Sequence, residues 1–268
     1  MKLTNPVVLV LTFVLGITLG IYFVTQDQQL VATAIAAEHE SGEPLVSPTD
    51  PRKLLERMSK EIAGLESYII NGDAYADARL EAGLMIEHAS QATLQVHKPD
   101  TVRITNKTSE DLKELFFHSG VLTVYTKSNN FYGQTLIPEG ATAALDYAVD
   151  EMGIDAPMLD FVSGGVAERL LATSTDVLYL GTSLIRGKVY EHVAIRTPEI
   201  DIQLWIAAEG RPLPGKMSLS AKWGDGSPRT TVFMDWNTSP DFQKNDIQFD
   251  PPEDAIKISF EPHTGSEE

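Results

Sequence analysis

The stretch that decides the fold is residues 188–207, KVYEHVAIRTPEIDIQLWIA, in which apolar and polar side chains alternate on both sides of a short break. Strict alternation of this kind is typical of a strand with one buried face. The two halves, Lys188 to Arg196 and Ile200 to Ala207, therefore predict a pair of antiparallel strands joined by a turn.

In this hairpin we expect Arg196 to pair with Asp201, which places His192 opposite Trp205. One face is then apolar, with Val193, Ile195, Ile202, Leu204 and Ile206, except that Glu191 also falls on it, near the end of the hairpin. The other face carries six candidate binding residues, Tyr190, His192, Arg196, Asp201, Gln203 and Trp205. Such a cationic, acidic and aromatic cluster could recognise a polar headgroup. The alternative is an ordinary solvated sheet face with one weak ion pair.

Other segments alternate in the same way, as in Ala92, Leu94 and Val96 and again in Met217, Leu219 and Ala221. Further strand-like runs, separated by turns such as Arg186-Gly187, bring the expected total to roughly nine to eleven strands. Short connections between strands favour an antiparallel meander over a parallel sheet.

Helical spacing interrupts the strand pattern in two places. Asp50-Pro51 marks a helix start, because the Asp50 carboxylate can bind free backbone amides and Pro51 fixes the first helical φ. Leu54, Met58, Ile62 and Leu65 then form an apolar stripe, with Leu55 and Ile69 beside it. Residues 142–151 and 157–171 predict a helical insertion. The sequence thus predicts an α+β fold, with a strongly curved antiparallel sheet and the N-terminal amphipathic helix on its concave face.

One long helix covers only part of the concave face of a sheet with so many strands, so this face could enclose an apolar ligand cavity. The alternative is a core filled by the protein's own side chains. Candidate lining residues are apolar or aromatic positions of the predicted strands, namely Leu94, Val96, Phe116, Tyr125, Met217 and Leu219.

Composition excludes several functions. The chain has 268 residues, a formal net charge of −17 and no cysteine. A strongly acidic protein without a basic block is a poor ligand for nucleic acid phosphates or an anionic membrane surface. Without cysteine there is no disulfide, thiolate metal site or cysteine nucleophile.

The N-terminus predicts export. Residues 7–24 are uncharged and mostly apolar, which suits a signal peptide or a membrane anchor. Cleavage after Ala36 would release a soluble periplasmic protein, whereas an uncleaved segment 7–24 would tether it to the inner membrane. We expect residues 1–36 to be this segment, residues 37–49 a linker, residues 50–262 one domain and residues 263–268 a flexible tail.

Catalytic signals are weak. The six histidines lie too far apart in sequence for a metal pair on one helix or hairpin. Ser163 lacks the preceding glycine of a nucleophile elbow, and no phosphate-binding or dinucleotide-binding motif occurs. We therefore expect neither enzyme activity, nor a cofactor, nor a metal site.

Several motifs resemble domain-of-unknown-function family 2092, a group of predicted periplasmic bacterial proteins. They are His97-Lys98-Pro99-Asp100, Gly153-Ile154-Asp155-Ala156-Pro157, His192-Val193-Ala194-Ile195-Arg196 and Arg211-Pro212-Leu213-Pro214, in family order within about residues 50–260. The family is grouped with the lipoprotein carriers of the bacterial envelope. The resemblance implies an open half-barrel capped by helices and a carrier or sensor of lipid or lipoprotein acyl chains.

Two functions remain open at this stage. The first is non-enzymatic binding of an acyl chain in the half-barrel. The second is a protein-protein interaction module of the cell envelope, with a filled core and no ligand. A hydrolase is a third possibility, for which the sequence offers no catalytic set.

Overall fold

The computed structural model describes residues 49–80, 83–150, 158–162, 165–222 and 227–259. The predicted signal or anchor segment (1–36), nearly all of the predicted linker and the predicted tail lie outside these residues. The described helices are α1 (Pro51–Ala63), α2 (Ala141–Asp150) and α3 (Val166–Ala172), with 3₁₀ turns at Leu159–Phe161 and Lys244–Ile247.

The described strands are β1 (Ser67–Arg79), β2 (Met85–His97), β3 (Thr101–Lys107), β4 (Leu112–His118), β5 (Val121–Thr126), β6 (Phe131–Leu136), β7 (Asp176–Ile185), β8 (Lys188–Arg196), β9 (Ile200–Ala207), β10 (Pro214–Ala221), β11 (Arg229–Asn237) and β12 (Ile256–Ile258). They form one twelve-stranded sheet in the order β12-β6-β5-β4-β3-β2-β1-β11-β10-β9-β8-β7. Neighbouring strands are antiparallel, except that β12 runs parallel to β6.

The sheet is curved and does not close, since β12 and β7 are its two edges. The predicted α+β open half-barrel is therefore confirmed. The predicted hairpin is confirmed as well, because β8 and β9 pair Arg196 with Asp201 and His192 with Trp205. The sequence analysis missed β1, which lies at the centre of the sheet between β2 and β11.

Helix α1 begins and ends as its sequence dictates. The Asp50 carboxylate accepts hydrogen bonds from the backbone amides of Arg52 and Lys53, at 3.0 and 3.5 Å. At the other end, the Lys98 ammonium donates to the carbonyl oxygens of Ile62 and Ala63, at 2.9 and 2.8 Å. A cation is favourable at a helix C-terminus because it binds the free carbonyl oxygens and offsets the negative end of the helix dipole, so Lys98 stabilises the end of α1. The helix is shorter than its apolar stripe suggested, because Ile69 belongs to β1.

The face of the sheet that α1 covers, here called the inner face, holds the core. The buried side chains of α1 are Leu54, Leu55, Met58, Ser59 and Ile62. The apolar members of this stripe join one cluster with inner-face side chains such as Tyr68, Leu94, Phe117, Leu204 and Met234. The predicted helix on the concave face is thus the main cover of the core. Helix α3 packs beside it, with the Ser59 hydroxyl 3.3 Å from a Glu168 carboxylate oxygen.

The opposite, outer face is partly covered by residues 238–259, which we call the C-terminal arm. The Phe249 ring lies on the rings of Phe116, Tyr125 and Tyr132, with centroids 5.1, 5.7 and 5.1 Å apart. The arm then ends as β12 at the edge of β6. It gives the outer face of β4 to β6 a small aromatic core of its own.

Candidate functional site

The inner face contains a cavity of about 150 Å³. We call it the inner cavity. It lies over the central strands β1, β2, β3 and β11, beneath Met158 and Leu159. Its lining residues are Ala74, Ala76, Ser90, Ala92, Leu94, Ile104, Asn106, Met158, Leu159, Thr230 and Val232.

The inner cavity exists because inner-face side chains become smaller along the central strands. β1 has Tyr68 and Ile70 on this face, both fully buried, followed by Gly72 and Ala74. The inner-face side chains of β2 become smaller at the same level of the sheet, because Ala92 lies opposite Gly72. Large side chains fill the space under α1, whereas small ones leave a void that the surrounding backbone cannot collapse to fill.

The cover of the cavity is held by buried polar and aromatic contacts. The Tyr68 hydroxyl donates to the carbonyl oxygens of Phe161 and Val162, at 2.5 and 3.1 Å. The Trp236 ring lies 5.7 Å from the Tyr68 ring and 6.0 Å from the Phe161 ring. Burial raises the pKa of Tyr68 well above its usual value, so its hydroxyl stays protonated and remains a donor. These contacts fix the 3₁₀ turn that follows Met158.

The lining is mainly apolar, with polar groups from Ser90, Asn106 and Thr230. The side-chain oxygen of Asn106 is buried and has no hydrogen-bond partner among the described residues. A few polar groups in an apolar pocket are typical of small-molecule sites. A dry apolar cavity of roughly 150 Å³ is large enough to hold a molecule the size of benzene. The inner cavity therefore offers room for about six carbon atoms.

The structure brings four of the predicted site residues to the inner face. Leu94 lines the inner cavity. Val96 lies on the same face of β2, deeper under α1, and is buried. Met217 and Leu219 are inner-face residues of β10, opposite Val232 and Thr230 of the cavity wall. Ligand contact by these four residues remains a prediction.

Phe116 and Tyr125 do not lie in the cavity. They face outward and pack beneath Phe249. Their neighbour Phe117 is the residue of this strand that joins the inner core. Because successive side chains of a strand point to opposite faces, only one of Phe116 and Phe117 can be on the inner side. The expectation that Phe116 and Tyr125 line a ligand cavity is corrected accordingly.

The six polar and aromatic candidates of the hairpin share the outer face, as their alternation predicted. The His192 ring stacks on Trp205, with centroids 4.2 Å apart and planes 14° from parallel. Its Nε2 lies 3.1 Å from the Gln203 side-chain oxygen. The Lys216 ammonium lies 4.2 Å from the Trp205 ring centre on the other side, so Trp205 is nearly buried between two side chains.

At the end of the hairpin near β7, Arg196 lies between two carboxylates. Its guanidinium is 3.4 Å from Asp176 and 3.8 Å from Asp201. Lys222 also reaches Asp201, at 2.8 Å. These charges are exposed and already paired with one another, which makes this end a solvated ion-pair network. The whole polar set lies on the face opposite the inner cavity.

The protonation of His192 is shifted by its surroundings. Burial lowers the pKa of His192, the hydrogen bond to Gln203 raises it, and the nearby positive charge of Lys216 lowers it further. Burial also lowers the pKa of Lys216, as does the charge of Arg229. The imidazole is therefore kept neutral in the folded protein at neutral pH.

The cavity residues that the sequence analysis missed are mostly small. Ala74, Ala76, Ser90 and Ala92 supply most of the β1 and β2 wall. Their signal in the sequence is the recurrence of small side chains at every second position, beginning at Gly72. Small residues carry little strand propensity, so this signal was hidden.

Two further features of the described residues bear on function. No group of three or more histidine, aspartate or glutamate side chains in this part of the chain is arranged to hold a metal ion. Among the helices of the same residues, none combines the length and the apolar character needed to cross a bilayer.

Residues 52–261 match the model of a protein family described as "Predicted periplasmic protein (DUF2092)". The chain belongs to this family. The match covers every described strand and almost all of α1. It confirms the family that the motifs had indicated. No curated protein matches this chain.

Solved structures of similar fold include two mycobacterial proteins, one of them a lipoprotein, and a LolA-superfamily protein. The Mycobacterium tuberculosis lipoprotein LppX aligns with a TM-score of 0.44 and 12% identity, over 72% of this chain and 98% of its own. LprF from Mycobacterium bovis gives 0.44 and 14%, over 79% and 100%. The LolA superfamily protein NE2245 from Nitrosomonas europaea gives 0.40 and 9%, over 74% and 97%. These TM-scores and identities are too low to assign a function.

Proposed function

We propose that this protein is a non-enzymatic carrier or sensor of the periplasm that binds an acyl chain of a lipid or lipoprotein inside its half-barrel. The observation that carries the proposal is the apolar inner cavity, which is walled by small side chains at the centre of the sheet. The family description and the apolar segment 7–24 support a location outside the cytoplasm.

Burial of hydrocarbon supplies the binding energy in this proposal. At about 0.8 kcal/mol for each buried CH₂, six carbons contribute about 5 kcal/mol before ordering costs. No charged anchor is required for binding of this strength.

Native mass spectrometry of the gently purified full chain tests the proposal. We expect a mass excess that is released by organic extraction and identified as lipid. After extraction and refolding, the protein should bind added dodecanoate at micromolar to millimolar concentrations. A folded protein that carries no lipid and binds no dodecanoate would overturn the proposal.

The alternative, an interaction module of the envelope, is favoured by the edge strand β7. Leu178 and Leu180 of this strand are about half exposed, at 52% and 50%. An edge with apolar side chains is a template for strand addition by another chain. Recovery of a lipid-free protein with a stoichiometric envelope partner, lost on changing Leu178→Lys, would favour this function.

A further inference from the structure

A second and larger pocket lies at the opposite end of the hairpin from Arg196. We call it the outer pocket. Its volume is about 570 Å³, which falls within the range of small-molecule sites, about 300–1,000 Å³. Its lining residues are Gly187, Lys188, Val189, Tyr190, Ala207, Glu209, Leu213, Pro214, Gly215, Met234, Asp235 and Trp236.

The outer pocket is lined by residues from both faces of the sheet. β10 and β11 pair only from Lys216 opposite Phe233 onward, and the register of β10 shifts between Pro214 and Lys216. Beyond that point the Trp236 indole N–H spans the gap, donating to the Pro214 carbonyl oxygen at 2.7 Å. Met234 and Trp236 are inner-face residues, paired with Gly72 and Ile70, yet both line this pocket.

The turn between β7 and β8 bends over the outer face next to this pocket. Arg186 and Gly187 both have positive φ, of 49° and 77°, as a two-residue type I′ turn requires. The Arg186 guanidinium binds Asp73 at 3.1 Å and Asp235 at 3.5 Å, and it lies 4.6 Å from the Phe233 ring centre. These contacts tie the hairpin tip to β1 and β11.

Gly72 lies next to one lining residue of the outer pocket and one of the inner cavity. Met234 borders the outer pocket and lies opposite Gly72. Met158 borders the inner cavity, and its sulfur lies 3.1 Å from the position that a Cβ on Gly72 would occupy. The two methionines therefore flank one glycine. Methionine side chains are unbranched and adapt readily to a change in their surroundings.

The inner cavity alone holds about six carbons, so a longer acyl chain needs additional space. The outer pocket is the candidate for this space, because Met234 of its lining and Met158 of the inner cavity both lie next to Gly72. Its walls also carry charges of both signs. Lys188 and Glu209 are exposed, and neither has an ion-pair partner among the described residues. Asp235, by contrast, already has an ion-pair partner, because it shares Arg186 with Asp73.

We propose that the outer pocket holds the headgroup of a zwitterionic phospholipid, while the acyl chain passes between β10 and β11 into the inner cavity. Lys188 contacts the phosphate, and Glu209 contacts the ammonium group. Tyr190 and Trp236 provide aromatic surface beside that group, which favours cations. This inference rests on the proposed function and adds to it the class of lipid and the route of entry.

Two ligands with the same chain separate the two proposals. Dodecanoate has the acyl chain alone, and lauroyl lysophosphatidylethanolamine adds the zwitterionic headgroup. We expect the lysolipid to bind the full chain at least tenfold more tightly than dodecanoate. Glu209→Gln should weaken lysolipid binding about tenfold and leave dodecanoate binding unchanged, because dodecanoate has no ammonium group. Lys188→Gln should weaken the binding of both ligands, because Lys188 faces the lysolipid phosphate and also the dodecanoate carboxylate. Glu199→Gln, at another exposed and unpaired carboxylate, serves as the matched control.

The outcomes are distinct. If both ligands bind and neither charge variant changes lysolipid affinity, the headgroup site is overturned and the acyl-chain carrier stands. If neither ligand binds the folded protein, both proposals fail. A lysolipid with a diazirine at the chain end tests the route, since we expect crosslinks to peptides of β2 and of Met158. Crosslinks confined to residues 186–190 and 207–215 would overturn passage through the sheet.

Discussion

A substitution that fills the inner cavity with the side chain of one of its own lining residues is the most direct test of the proposed site. Ala92 faces the cavity from β2, between Gly72 of β1 and Asn106 of β3. Ala92→Leu adds three carbons to a space with room for about six. Three displaced methylenes, at about 0.8 kcal/mol each, predict a loss of about 2.4 kcal/mol of binding energy, or about 50-fold in affinity.

The same substitution should not destabilise the fold. The added carbons enter an existing void, which contributes up to about 2 kcal/mol, offset by strain of about 1 kcal/mol where the fit is imperfect. We therefore expect the free energy of unfolding to stay equal or rise while affinity falls. Opposite signs in the two measurements distinguish a filled site from a damaged fold.

Displacement of a fluorescent fatty acid by dodecanoate measures the affinity, and urea unfolding measures the stability. Ala89→Leu is the matched control, because Ala89 is exposed on the outer face of the same strand and lines no part of the inner cavity. It should change neither quantity by more than about 0.5 kcal/mol. Unchanged dodecanoate affinity in a folded Ala92→Leu protein would refute the reasoning, as would an equal loss in both variants.

Three further predictions concern the supports of the site. Tyr68→Phe leaves two buried carbonyl oxygens without their donor and should lower the free energy of unfolding by about 1–3 kcal/mol in urea titrations. Tyr132→Phe, which removes a hydroxyl that bonds to none of the described residues, should have no comparable effect. Phe249→Ala removes three ring contacts, so we expect a loss of about 2–4 kcal/mol and proteolysis within the C-terminal arm. Leu136→Ala, at a side chain 77% exposed, should leave the arm protected. Burial lowers the pKa of His192 in the folded protein, so the unfolded chain binds a proton at this histidine more readily. The free energy of unfolding should therefore fall as the pH drops below about 6.5. His192→Gln should reduce the pH dependence of this free energy between pH 5 and 7.5.

Much of the sheet could be predicted from alternation alone. The register of β8 against β9 follows from one assumed pair, Arg196 with Asp201, because a slip by one residue would turn inner-face side chains such as Ile195 to the outer face. The start of α1 follows from the Asp50 carboxylate and the proline after it. Both are local patterns, set by neighbours a few residues away.

The centre of the sheet could not be predicted in this way, and the reason is informative. β1 has Gly72, Ala74 and Ala76 on its inner face and Asn71 and Asp73 on the other, a composition with weak strand propensity. The small side chains that hide the strand from a propensity argument are the ones that create the cavity. β1, whose sequence does not resemble that of a buried strand, therefore forms part of the wall of the inner cavity.

The sequence also could not predict which face of the sheet each aromatic residue occupies. Phe116 and Phe117 are adjacent and equally apolar, and the sheet must turn them to opposite faces. Phe116 is covered by Phe249, which is distant in sequence. Only the path of the C-terminal arm decides which of the two rings belongs to the core.

The structure of the two sheet edges affects how the protein behaves at high concentration. An unclosed sheet presents two rims of backbone groups on which identical molecules could stack into fibrils. One rim is shortened by Ile256–Ile258, which run parallel along β6. The other is interrupted where the register shifts between Tyr179 and Thr182, around Gly181 with φ 86°. Each border therefore leaves only short regular stretches for pairing with another copy of the chain, so we expect little edge-to-edge assembly.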